Sequence, residues 1–146
     1  MTAEHAIEKA CRELIETALV SDESNPTVYP FTAWPDDSDG ENISMPAISI
    51  RCSPFMPEGP GSNLGMVEAM LVVADKYDND RTRATLERIW EASTAVMTAS
   101  GIGNKVETPW CVFGIDDSEA GILAEDEETR KAQKERSYAV QVAIVA

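Results

Sequence analysis

The sequence predicts a single α+β domain with a largely antiparallel sheet and two main helices packed on one face, in the order α-β-β-β-α-β-β. Apolar residues recur at helical spacing near the N-terminus and again within residues 80–100. Apolar runs of strand length occupy the middle and the C-terminal end of the chain. These elements form no regular βαβ repeat, and 146 residues are about the size of one domain.

The first helix is expected over residues 2–20. Its apolar side chains recur every three or four residues, and charged side chains lie between them. Thr2 is a suitable N-cap, and Glu4 in the first turn complements the helix macrodipole. The single apolar stripe predicts that one face of this helix packs against a sheet.

Residues 21–45 predict a loop that contains an edge strand at residues 28–34, followed by an acidic turn. Residues 46–74 predict a β-hairpin. Its first strand, Ala47–Cys52, alternates cleanly, and strand character resumes from Leu64 to Ala74. Three prolines and two glycines between these strands predict a long, stiff tip.

The second helix is expected over residues 80–100, after the capping cluster Asp78-Asn79-Asp80 and before the stop signals Gly101 and Gly103. Its predicted buried face holds Leu86, Ile89, Trp90, Ser93, Val96 and Met97. Two strands follow, at residues 109–116 and 137–146. In the last strand, one face is predicted to carry Tyr138, Val140, Val142 and Ile144.

Charge excludes several classes of function. Twelve basic residues against 26 acidic ones give a net charge of −14. Such a surface repels nucleic acid and anionic lipid, so we expect no sequence-specific binding to nucleic acid and no membrane partner. No apolar run approaches the roughly 20 residues of a membrane span, and the N-terminus does not have the pattern of a signal peptide. The three cysteines, without any CxxC, fit reduced thiols in the cytoplasm.

No residue pattern predicts catalysis, a cofactor or a metal site. His5 is the single histidine, so no cysteine or serine has a second one to activate it. The acidic turn at residues 36–42 does not fit a calcium loop, because Pro35 and Pro46 would occupy the first and twelfth ligand positions. The glycine-rich stretches lack the Gly-Lys-Ser/Thr of a phosphate loop. We therefore expect a protein that is not an enzyme.

Several residues are candidates for subunit contacts instead. Each of the three tryptophans is by default a core residue, but Trp34 could instead anchor an interface from its proline-flanked loop. Arg51, in an apolar strand, either points to solvent or pairs with an acid of a neighbouring chain.

The segment 116–136 is polarised, since residues 116–128 hold seven acids and no base, and residues 129–136 hold four bases and one acid. Within one copy, Asp126 could pair with Arg130, and Glu127 with Lys131, at helical spacing. Between copies, the acidic half of one subunit could meet the basic half of the next, which would close a head-to-tail ring. The bases of that contact would be Arg130, Lys131, Lys134 and Arg136.

The order of elements resembles the tail terminator and tail-completion proteins of long-tailed bacteriophages. The resemblance lies in the N-terminal amphipathic helix, the proline-introduced strand Met45-Pro46-Ala47-Ile48-Ser49-Ile50, and the strand that ends in Asp75-Lys76-Tyr77-Asp78 before a single helix and two C-terminal strands. It covers nearly the whole chain and is one of layout and length. It implies a virion protein, assembled in the host cytoplasm, that forms a ring, usually of six copies.

In that family the ring caps the tail tube, stops its polymerisation and joins it to the head connector, so the implied partners are further copies, the tail tube protein and the connector protein. Genome DNA would pass through the ring. A head-completion or stopper protein of the same neck is an alternative with different neighbours. An acidic inhibitor that mimics DNA is another, and it would act as a monomer or dimer on a DNA-processing enzyme. A small acid-dependent hydrolase is the third.

Overall fold

The computed structural model describes residues 2–29, 46–76, 83–117, 122–126 and 131–144. The predicted α+β class is confirmed for a single domain, with three helices and a seven-stranded, mostly antiparallel sheet in these ranges. The elements are α1 (Ala3–Ala18), β1 (Thr27–Tyr29), β2 (Ala47–Cys52), β3 (Met56–Pro57), β4 (Leu64–Lys76), α2 (Ala84–Ala95), α3 (Ala99–Lys105), β5 (Trp110–Asp117), β6 (Ile122–Asp126) and β7 (Lys131–Ile144).

Two long strands form the centre of the sheet. β4 and β7 pair antiparallel from Leu64 opposite Ala143 to Lys76 opposite Lys131. β2 and β3 follow one another along the free side of β4, and β5 and β6 do the same along β7. β1 lies beyond β2 and is parallel to it. The strand order is therefore β1-β2-β4-β7-β5, with β3 and β6 extending the outer columns.

One face of the sheet packs on the helices, and we call the opposite face the outer face. Alternate residues of β4, from Val67 to Val73, and Val140 and Val142 of β7 belong to a buried cluster shared with the helices. The cluster includes Ile7 and Ile15 of α1 and Leu86 and Ile89 of α2. Each such side chain contributes about 1.5–3 kcal/mol when it is fully buried. The predicted faces of the last strand are confirmed at Tyr138, Val140 and Val142.

α1 follows the sequence prediction closely. The Thr2 hydroxyl accepts a hydrogen bond from the His5 amide at 3.3 Å, as expected of an N-cap. Ile7, Cys11 and Ile15 of the predicted stripe are fully buried. The helix therefore packs by the face that its apolar spacing indicated.

The predicted single helix over residues 80–100 is wrong, because the chain forms two helices there. α2 ends at Ala95, and Thr98 caps α3 by accepting a hydrogen bond from the Gly101 amide at 3.0 Å. Gly101 and Gly103 lie inside α3 and do not end a helix. A Cβ at Gly101 would come 2.8 Å from the Thr98 hydroxyl, so this glycine permits the tight cap. The predicted capping cluster at residues 78–80 lies outside the described residues.

The C-terminal boundaries also differ from the prediction. β7 begins at Lys131 instead of residue 137, and β6 is an additional strand, so most of the polar segment between the predicted strands belongs to a sheet. The reason is that β4 offers a ladder along the whole length of β7, and the charged residues of β7 find partners in the fold. Asp126 and Lys131, predicted in helical pairs, are opposite each other in two strands, and their predicted partners Arg130 and Glu127 lie outside the described residues.

The predicted hairpin is present with a modified tip. β2 pairs antiparallel with β4 from Ala47 opposite Ala74 to Cys52 opposite Ala69. Within the tip, β3 adds a short pairing of Met56 with Met66. Of the edge strand predicted at residues 28–34, the structure describes only the start, which belongs to β1 (Thr27–Tyr29). Residues 30–34 lie outside the described residues.

An ion pair ties the turn after α1 to α2. The Arg88 guanidinium donates two hydrogen bonds, of 2.9 and 3.0 Å, to the two carboxylate oxygens of Asp22. The amide of Ser24 donates a third, at 2.9 Å. The Arg88 guanidinium, followed by Ser24, holds the pKa of Asp22 well below its usual value.

We expect Asp22→Asn to destabilise the protein at pH 7 and to have a diminishing effect in acid. A carboxyl group whose pKa is lowered in the folded state contributes stability above its unfolded pKa of about 3.9 and loses it as the pH falls through the folded value. The difference in free energy of unfolding between wild type and variant should therefore be complete at neutral pH and shrink below about pH 4.

Urea denaturation across this pH range measures this difference in free energy. Glu23→Gln, at a carboxylate 3.9 Å from Arg88 and largely exposed, is the matched control. A difference that stays constant with pH would contradict the assignment.

Candidate interaction surface

An open apolar groove lies on the outer face at one end of the sheet, and we call it the sheet-end groove. It has a volume of about 470 Å³. Its lining comes from β3 and the turn after it, from the start of β4, from β5 and from the end of β7. The lining side chains are those of Met56, Glu58, Leu64, Met66, Phe113 and Gln141.

Strand pairing brings these residues together. Met56 is opposite Met66, Met66 is opposite Gln141, and Gln141 is opposite Gly114, so one row crosses four strands. Paired residues of antiparallel strands point to the same face, and this row lies on the outer face. Gly114 leaves space beside the Gln141 amide, since a Cβ there would come 2.5 Å from its Oε1.

Phe113 owes its exposure to a β-bulge. The ladder between β5 and β7 shifts register between Val112 and Gly114, which leaves Phe113 without an opposite residue. The side chain is 56% exposed and lines the groove. Met56 and Leu64 are 41% and 44% exposed, so three large apolar side chains meet solvent at this end of the sheet.

One acidic group lines the groove and two others lie beside its lining residues. Glu58 lines it, and Glu68 is exposed two residues along β4 from Met66 on the same face. Gln141 donates a hydrogen bond of 3.3 Å from its Nε2 to Asp116. The described lining residues include no base. The groove therefore combines an apolar floor with a negative rim.

The helix-facing side of β7 holds two of the bases predicted to bridge subunits. Lys134 Nζ donates to Glu87 of α2 at 2.8 Å and lies 5.6 Å from the centre of the Trp90 ring. The Arg136 guanidinium carbon lies 5.3 Å from the same ring, and the group is 3.8 Å from the Asp117 carboxylate. Both side chains are less than a fifth exposed. These bases stabilise the subunit through charge pairs and cation–π contacts.

The remaining predicted interface residues are scattered. Arg51 is half-buried in β2 opposite Met70, which places it on the outer face beyond the groove. Asp126 and Lys131 are opposite each other where β6 meets β7. Trp34, Glu127 and Arg130 lie outside the described residues. The described candidates do not form one site.

Sequence reasoning missed the groove, although β4 contains a signal for it. Leu64 and Met66 are apolar at positions that alternate with Val67 and Ala69, which face the helices. When successive residues at the start of a strand are apolar, so that both alternating sets of positions are apolar, both faces of the strand meet apolar surroundings. The bulge at Phe113 has no comparable signal.

The described residues offer little for other chemistry. Burial raises the pKa of the Cys11 thiol to about 12, and burial likewise raises the pKa of Cys52, so both remain protonated at neutral pH. Within the described ranges, no group of three or more His, Cys, Asp or Glu side chains is arranged to hold a metal ion. None of the helices that the structure describes is long and apolar enough to span a membrane.

Comparison with known proteins finds a solved structure with a similar fold. No protein family matches the sequence, and the curated proteins contain no match. Among solved structures, the chain is similar to a chain of a particle described as "Virion of native gene transfer agent (GTA) particle". The two are 9% identical with a TM-score of 0.59, and the match covers 97% of this chain and 95% of that one. The two chains therefore share this α+β fold over nearly their full lengths.

Proposed function

We propose that this protein is a structural subunit of a phage-like virion. The observation that carries the proposal is the end-to-end likeness of the fold to a chain of a gene transfer agent virion. The order of elements resembles phage tail terminator proteins independently of that likeness. In this role the protein binds other proteins and catalyses no reaction.

Within the virion, we place it at the end of the tail tube. There it would form a ring, usually of six copies, that ends tube polymerisation and joins the tail to the head connector. Its partners would be neighbouring copies, the tail tube protein and the connector protein, with assembly in the host cytoplasm. The net charge of −14 supports this placement, because a negative lumen lets genome DNA slide without sticking.

The contact between copies cannot be tested by reversing all four bases of residues 130–136. Lys134 and Arg136 pack on Trp90 within their own subunit, so their reversal would destabilise the fold before it affected a ring. We propose that the outer strands and Lys131 contribute to the contact instead, since strand edges supply hydrogen bonds and exposed ion pairs alone contribute about 0–1 kcal/mol.

We expect particles made without this protein to carry tails of uncontrolled length that are not joined to heads. Electron microscopy of tail lengths measures this, with wild-type protein supplied in trans as the control. Neck complexes purified from wild-type particles should contain a ring of about 95 kDa, six copies of the 15.9 kDa chain. Normal tails with a defect confined to the heads would favour the head-completion role. Normal, joined tails in its absence would overturn the proposal.

A further inference from the structure

We propose that the sheet-end groove binds a short segment of a different protein, one that presents apolar side chains between lysine or arginine residues. This assigns a binding site and a class of ligand that the proposed place in the virion does not specify. The occupant is identified by the apolar floor of the groove, by its negative rim and by the distribution of bases in this chain.

The floor of the groove concentrates exposed apolar surface. Of the five large apolar side chains exposed in the described part of the chain, Met56, Leu64 and Phe113 line this groove, and the other two lie elsewhere. Exposed apolar side chains that cluster in this way indicate a binding surface. Two methionines, Met56 and Met66, allow the floor to adapt to a ligand of irregular shape.

The rim determines the charge of the ligand. Glu58 in the lining, Glu68 beside Met66, and Asp116 beside Gln141 place three carboxylates at or next to the apolar floor. A segment with basic residues beside its apolar ones would be attracted to this rim, and an acidic one would be repelled.

A second copy of this chain does not meet that requirement. Its net charge is −14, and in the part of the chain that the structure describes six bases pair with acids of the same chain. Those bases are Lys9, Arg12, Arg83, Arg88, Lys134 and Arg136. With these bases paired, and with Lys131 proposed for the contact between copies, another copy would bring mainly carboxylates to a rim that is already negative. We therefore assign the complementary charges to a different protein.

A synthetic peptide tests the inference on the purified protein. A helix of about ten residues spans the roughly 14 Å across four strands, so the probe is a labelled peptide of that length built from leucine and lysine. Its matched controls carry serine in place of leucine, or glutamate in place of lysine. Fluorescence anisotropy at two salt concentrations measures binding, and sedimentation of the unlabelled protein measures self-association.

We expect the leucine–lysine peptide to bind the wild type and both control peptides to bind at least about tenfold more weakly. Leu64→Ser combined with Phe113→Ser should weaken binding about tenfold or more, and Glu58→Gln combined with Glu68→Gln should reduce its salt dependence. Leu123→Ser removes an exposed leucine outside the groove and should leave the affinity unchanged. Because Leu64 and Phe113 are exposed, circular dichroism should show an unaltered fold.

Three results would overturn the inference. They are absence of binding, binding that the Leu64/Phe113 variant leaves unchanged, and self-association that this variant abolishes, which would make a second copy the occupant. The experiment uses the isolated subunit, so its failure is distinct from a failure of the tail-length experiment on particles.

Discussion

Replacing Trp90 with alanine should lower the free energy of unfolding by about 3–5 kcal/mol, the largest effect that we expect of any single substitution in this protein. Trp90 is 6% exposed and belongs to the buried cluster between α2 and the sheet. Its ring also packs against the charged groups of Lys134 and Arg136. The substitution therefore opens a cavity and removes the aromatic surface on which two half-buried charges rest.

Trp90→Phe is the matched control for this substitution. It retains an aromatic face for the two cations and fills most of the cavity, so it should destabilise the protein clearly less than alanine does. Urea denaturation monitored by far-ultraviolet circular dichroism measures both variants. If alanine costs less than about 1 kcal/mol, or no more than phenylalanine, Trp90 does not hold β7 against α2 as the structure indicates.

Local patterns were sufficient to predict α1. The spacing of Ile7, Cys11 and Ile15 and the cap at Thr2 all lie within one short stretch of sequence, and their consequences are confirmed. The start of β7 could not be predicted in the same way. Lys134 and Arg136 stand in a row of polar residues, which is typical of a loop. They fit a half-buried strand because both contact the indole ring of Trp90, which lies in α2, more than forty residues earlier.

The break between α2 and α3 shows a competition between two local signals. Gly101 and Gly103 are strong signals for a helix end, yet the chain uses Thr98 as a cap three residues before Gly101. A Cβ at Gly101 would come 2.8 Å from the Thr98 hydroxyl, so the glycine here permits a helix start. A glycine that permits close approach and a glycine that ends a helix are identical in the sequence.

Apart from the apolar residues at the start of β4, the sheet-end groove could not be predicted, for a different reason. Its lining residues come from four strands that are brought together by register, and a shift of one residue would move each of them to the other face. The β-bulge at Phe113 is not indicated by any residue type in the sequence. The charge pattern alone predicts a contact surface at residues 116–136, but Lys134 and Arg136 pair with acids within their own subunit.

Gly65→Ala should destabilise the protein by about 1–3 kcal/mol and should also weaken ligand binding at the groove. A Cβ at Gly65 would clash with the backbone oxygen of Met56 and lie 2.6 Å from two carbons of the Phe55 ring. The Phe55 ring packs 5.8 Å from that of Trp110 on the helix-facing side. To admit one methyl group, either Phe55 must leave Trp110 or β3 must move away from β4, and the second change would separate Met56 from Met66.

Two other glycines provide matched controls for this prediction. Gly59→Ala adds a Cβ with nothing within 4 Å, so it should be neutral or slightly stabilising. Gly114→Ala meets the far end of the Gln141 side chain, which can rotate away, so its cost in stability should be small. Because Gln141 lines the groove, this variant is a control for stability only. Thermal unfolding and binding of the leucine–lysine peptide, measured on all three variants, separate the effects. If Gly65→Ala matches Gly59→Ala in both measurements, β3 is not held against β4 closely enough to form the floor of the groove.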